Sequence, residues 1–99
     1  MKKIALNSHT QLALERYSER FDNRLRLVII NSKGEQLACR KESFKKMELF
    51  IETEDKHIFK GRLQLFKIAD KISVQVKGEN IGSIDAGLFR QRLQELAGS

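Results

Sequence analysis

The run KISVQVK at positions 71–77 constrains the fold most. Ile72, Val74 and Val76 alternate with Lys71, Ser73, Gln75 and Lys77. Side chains on a strand point to opposite faces in turn, so this alternation describes a strand with one buried and one wet face. Such a strand cannot stand alone. Its backbone needs paired neighbours, and its apolar face needs a covering layer.

Neighbours are available on both sides. RLRLVII, Arg24 to Ile30, sets Leu25, Leu27 and Ile29 against Arg24, Arg26 and Val28. NSKG at 31–34 reads as a hairpin turn with Gly34 free to take positive φ, and EQLACRK returns with Leu37 and Cys39 on one face. Lys3 to Leu6 suits a short first strand. HIFKGRLQLFKI at 57–68 suits a long strand whose alternation changes phase near Gly61, where a β-bulge would reset the faces. Ala69-Asp70 then makes a tight turn, and GEN at 78–80 turns the chain into a short IGSI edge.

Two segments read as helices. SHTQ at 8–11 has the form of a capping box and opens a helix through about Phe21, with Leu14, Tyr17 and Phe21 on one stripe and Arg16, Arg20 and Arg24 on another. Near the C-terminus Asp85 caps a helix, Ile84 and Phe89 occupy staple positions, and Phe89, Leu93 and Leu96 form the buried stripe up to Gly98. Between these lies MELFIETED, read as a strand through Met47, Leu49 and Ile51. A helix beginning at Ser43 competes, because Phe44, Met47 and Ile51 also fit a helical stripe.

The expected fold is therefore α+β. A single antiparallel meander of about five or six strands carries an N-terminal and a C-terminal helix packed on one face. The 99 residues suit one domain, residues 1–99. With no proline, no kink is forced on any element.

Catalytic motifs are missing. The two histidines, His9 and His57, have no nucleophile motif beside them, and no GxSxG, GxxxxGK[ST], HExxH or GxGxxG occurs. Glu52, Glu54 and Asp55 read as a solvated turn rather than a cation site, since Ca²⁺ needs six or more oxygens in a shaped loop. No enzyme, metal or cofactor is expected. The single Cys39 excludes an internal disulfide and reads as a small, reduced core residue. The apolar run after the two N-terminal lysines is too short for a signal peptide, and no stretch approaches a membrane span. A cytoplasmic location without membrane partner is the expectation.

Charge points to a partner. The net charge is +6, and positions 16–46 hold nine basic residues against four acidic ones, hence +5 of the total. Concentrated positive charge suits nucleic acid (DNA or RNA) or an acidic protein. Its densest part is RKESFKK at 40–46, where Phe44 could stack on an unpaired base. The candidate nucleic-acid-binding residues are Arg16, Arg20, Arg24, Arg40, Lys41, Phe44, Lys45 and Lys46. No base-reading motif accompanies them. The alternative is an interaction or adaptor module, homodimeric through a sheet edge or an outer sheet face bearing Phe50 and Phe66.

Overall fold

The computed structural model describes residues 2–19 and 22–98, with backbone alone at 18, 19, 22 and 23. Four strands come first: β1 (Lys2–Ala5), β2 (Thr10–Glu19), β3 (Asp22–Asn31) and β4 (Gln36–Ser43). The helix α1 (Phe44–Glu52) follows. Then come β5 (His57–Ile58), β6 (Leu63–Ile68), β7 (Lys71–Val76), β8 (Glu79–Asp85) and the helix α2 (Ala86–Ala97). The strands form two four-stranded antiparallel sheets, β1-β2-β3-β4 and β5-β6-β7-β8. Four strands and a helix thus occur twice in succession. This overturns the expected single meander with an N-terminal helix.

The N-terminal helix fails because pairing outweighs local propensity. TQLALERYSE is rich in good helix formers, yet every residue from Thr10 to Glu19 has a Cα partner on β3. Leu12 and Leu14, opposite Ile29 and Leu27, alternate inward as strand residues. The turn before β2 is closed by Asn7, whose Oδ1 accepts from the amides of His9 at 2.6 Å and Thr10 at 2.9 Å. An Asx turn therefore stands where the capping box was expected.

At residues 44–52 the competing helix is the correct reading. Ser43 caps α1 by accepting from the Lys46 amide at 3.1 Å. Met47 and Phe50, one turn apart, are buried, whereas Leu49 is 48% exposed. A strand would have buried Leu49 and turned Phe50 outward. Residues 57–68 are not one bulged strand either. Phe59 at φ 74° and Gly61 at φ 101° reverse the chain, so that His57 pairs with Phe66 and Ile58 with Leu65. The turns at 31–34 and 69–70, the strands β3 and β7, and α2 with its Asp85 cap agree with the sequence reading.

One continuous core joins the halves. It combines the inner faces of both sheets, through Leu27 and Val74 for example, with Met47 and Phe50 of α1 and Phe89 and Leu93 of α2. α1 packs on β3 and β4, and α2 bridges β2 of the first sheet and β8 of the second.

Each helix also has its C-terminal carbonyls held by a cation from a strand. Neither helix carries a basic residue in its last turn. For α1 the cation is Lys67 of β6, whose Nζ donates to the Phe50 and Thr53 carbonyls and lies 4.9 Å from the Phe50 ring. For α2, Arg16 of β2 donates to the Leu96 carbonyl at 3.4 Å. A cation here adds a donor to the C-terminal carbonyls and offsets the negative end of the helix dipole. Each helix is held by a strand of the sheet from the other half of the chain, which interlocks the halves. Replacing Lys67 with Met keeps the stem and removes the charge, and is expected to lower stability by about 1–2 kcal/mol. An unchanged urea midpoint would show that the cap contributes nothing.

Candidate nucleic-acid interface

The heptad RKESFKK is the junction of β4 and α1, and the structure scatters its side chains. Arg40 and Lys41 are adjacent on a strand, so they point to opposite faces. Arg40 lies opposite Leu27 on the inner face. Its Nη1 donates to the Lys60 carbonyl at 3.3 Å, and its guanidinium sits 4.8 Å from the Phe59 ring centroid. Lys41 points outward, with Nζ 5.2 Å from the Tyr17 ring. Phe44 opens α1 and packs partly buried against the core, which takes its ring away from any base. Lys45 and Lys46 are exposed on the first turn of α1.

The other candidates also divide. Arg16 is on the inner side, committed to the end of α2. Arg20 lies outside the described residues. Arg24 is on β3, opposite Tyr17 of β2 and Ser43 of β4. A continuous basic stripe from a first helix to the heptad does not form, because that helix is a strand.

What forms instead is a basic outer face on the first sheet. Directly opposed residues share a face. The pairs Lys3–Ala13, Glu15–Arg26, Tyr17–Arg24 and Arg26–Lys41 therefore stand on one surface. Lys3, Arg24, Arg26 and Lys41 are its described cations; Glu15 is an acid among them, and the register continues the face to the paired positions Glu19 and Asp22 at its end. Ala13 and Val28 lie between them, both buried beneath longer neighbours.

Arg26 is the organised centre. Its Nη1 meets Glu15 Oε2 at 3.4 Å, its Nε donates to Cys39 Sγ at 3.2 Å, and its Nη2 donates to Gln36 Oε1 at 3.1 Å. The hydrogen bond to the Cys39 sulfur first, then the neighbouring Glu15 carboxylate, push the Arg26 pKa above its ordinary value. Arg26 is thus a fixed positive charge. Cys39 is a free, half-buried thiol on this face rather than a core residue. Sequence reasoning omitted Arg26 and Lys3 from the site. The spacing of Arg24 and Arg26, two apart on a strand, was the available signal.

The second sheet's outer face is different. The His57 ring stacks on Phe66 with centroids 4.4 Å apart and planes 13° apart, and His57 Nε2 lies 3.0 Å from Gln64 Oε1. Asn80 Nδ2 donates to Ser73 Oγ at 2.8 Å. Phe66 faces outward as expected, with Ile68, 63% exposed, on the same face. Phe50 does not join it, being 2% exposed in the core.

Among the described residues, no group of three His, Cys, Asp or Glu side chains could hold a metal ion. No described helix is long and apolar enough to cross a membrane. Comparison with protein-family models, with curated proteins and with solved structures finds no match to this chain.

Proposed function

We propose that this is a non-enzymatic protein that binds nucleic acid through the outer face of its first sheet. One observation carries the reading: Lys3, Arg24, Arg26 and Lys41 share a surface around Tyr17, with Glu15 among them and the paired positions Glu19 and Asp22 only at its far end. Each cation that neutralises a phosphate releases condensed counterions, so a cluster on one face binds far better than the same charges dispersed. Arg26 is held in place by its own neighbours and loses little freedom on binding. Among the described residues Tyr17 is the one aromatic ring on that face, and a ring among cations is the arrangement that tolerates any base. No base-reading motif occurs in the sequence, and the proposed binding is to the backbone and so independent of sequence. The unpaired Cys39 suits a reducing compartment, and the cytoplasm is the proposed location.

The test is a titration against generic single- and double-stranded DNA and RNA at two salt concentrations. Affinity should fall steeply as salt rises. The double variant Arg24→Glu, Lys41→Glu should bind at least about tenfold more weakly, with a salt slope shallower by about 1.4 on a single strand. The control double variant Lys56→Glu, Lys71→Glu carries the same charge change away from the face and should bind almost normally. No binding at low salt, or equal losses in both doubles, overturns the proposal.

The exposed Ile68 beside Phe66 favours a second reading, a homodimer through the outer face of the second sheet. Sedimentation should then show a dimer that Ile68→Lys dissociates. A monomer at high concentration rules this out.

A further inference from the structure

A cleft of about 430 Å³ opens between α1 and the chain at residues 55–60. That volume falls within the ~300–1,000 Å³ of small-ligand sites. Leu49, Phe50, Ile58 and Phe59 supply its apolar lining. Phe59 is held at φ 74°, a conformation rarely adopted by a bulky residue. Such strain persists only where the surroundings enforce it, and it concentrates at ligand sites. Here it sets the ring under the Arg40 guanidinium.

Glu42 lines the same cleft and is 7% exposed. Its Oε1 accepts from the Ser43 amide at 2.9 Å, and no other donor among the described residues reaches the carboxylate. A carboxylate can accept about four hydrogen bonds, so Glu42 keeps acceptor capacity, and its oxygens are not among the buried unpartnered atoms, which leaves that capacity open to the cleft. Arg40, Lys46 and Lys60 bring positive charge to the cleft, against Asp55, with His57 beside them.

A ligand that completes this site needs N–H donors for Glu42, a flat apolar ring for Phe59 and Leu49, and negative charge for the lysines. The geometry points to a binding site for a nucleoside phosphate whose base carries an amino group. Glu42 accepts from that amino group, as carboxylates do from cytosine. Lys46 and Lys60 hold the phosphate, and Arg40 packs its guanidinium against the Phe59 ring beside the base. Uracil presents a carbonyl where cytosine has its amino group, and the carboxylate repels it. The site lies on the inner side of β4, whereas the basic face is on the outer side, so it stands independently of the sheet-face reading.

The experiment follows the Leu49 and Ile58 methyl signals by NMR while cytidine or uridine monophosphate is added. Cytidine monophosphate should bind about tenfold tighter than uridine monophosphate. Glu42→Gln, whose amide can both donate and accept, should abolish that preference with the rest of the spectrum unchanged. Lys46→Ala should weaken both nucleotides about fivefold. Lys71→Ala, exposed and away from the cleft, should change neither. A short cytidine oligonucleotide identifies the source of the ligand. Affinity equal to the monophosphate, with shifts confined to the cleft, assigns free nucleotide. Tighter binding that also shifts Tyr17 assigns a nucleic-acid strand. No methyl shift at millimolar nucleotide, or equal affinity for the two monophosphates, overturns the site.

Discussion

Phe89→Ala is expected to unfold at far lower urea than the parent protein, by about 3–5 kcal/mol. Phe89 is fully buried in the core, with Leu93 at 1% and Leu96 at 7% exposure on the same stripe of α2. The loss is large for two reasons. Truncation removes the ring's transfer free energy and leaves a cavity that close-packed neighbours fill only in part. Moreover, α2 contacts β2 of one sheet and β8 of the other, so its displacement loosens both. A domain of this size has only about 5–15 kcal/mol in total. Arg90 on the exposed side of α2 is the control, and Arg90→Ala should cost no more than about 0.5 kcal/mol. Equal midpoints for the two variants would mean that α2 does not dock as described.

Gly82→Ala is the smallest side-chain addition with a large expected cost, about 2–4 kcal/mol. Gly82 sits in β8 at φ 144°, where an L side chain is strained. A Cβ there would also lie 2.6 Å from the Leu6 carbonyl oxygen, which is backbone and cannot swing aside. Leu6 belongs to the turn between β1 and β2, and Asn7 in that turn donates to the Ile81 carbonyl at 2.6 Å. The turn of the first sheet thus covers the edge strand of the second, protecting unpaired backbone groups and fastening the halves together. Gly78→Ala separates the two contributions. Gly78 has φ 79° but open space around its Cα, so it bears backbone strain alone, about 1–2 kcal/mol. Asn7→Ala added to Gly82→Ala should cost less than the sum of the singles, because displacing the turn already breaks the Asn7 bond. Thermal midpoints that rank Gly78→Ala as the worse variant would contradict this account.

The basic residues show how far charge counting reaches. Positions 16–46 do carry the excess charge, and part of it does gather on one surface. Which residues gather was not legible. Arg24 and Lys41 share the outer face with Arg26 and Lys3, whereas Arg16 and Arg40 turn inward to carbonyl partners. A helical spacing of four grouped Arg16 with Arg24. On strands the grouping depends on register, and Arg16 opposite Leu25 lies on the other face. The cleft was less legible still. Glu42 is distant in sequence from Phe59 and Lys60, and only the fold brings them together.

Where the evidence for an element is local, the amino-acid sequence by itself determined it. Asp85 and the stripe of Phe89, Leu93 and Leu96 specify α2, and strict alternation specifies β3 and β7, because caps and periodicity act within a few residues. The hairpin turn at Asn31–Gly34 follows from its own Asn and Gly chemistry. Tertiary structure alone decided the rest. Residues 10–19 have helical propensity worth tenths of a kcal/mol per residue, and pairing along the full length of β3 outweighs it. Residues 44–52 fit two periods equally well, and the pocket that receives Met47 and Phe50 selects the helix. The division into two sheets rests on the reversal at Phe59, a positive φ that no local preference predicts and that only surrounding contacts, Arg40 over its ring among them, can impose.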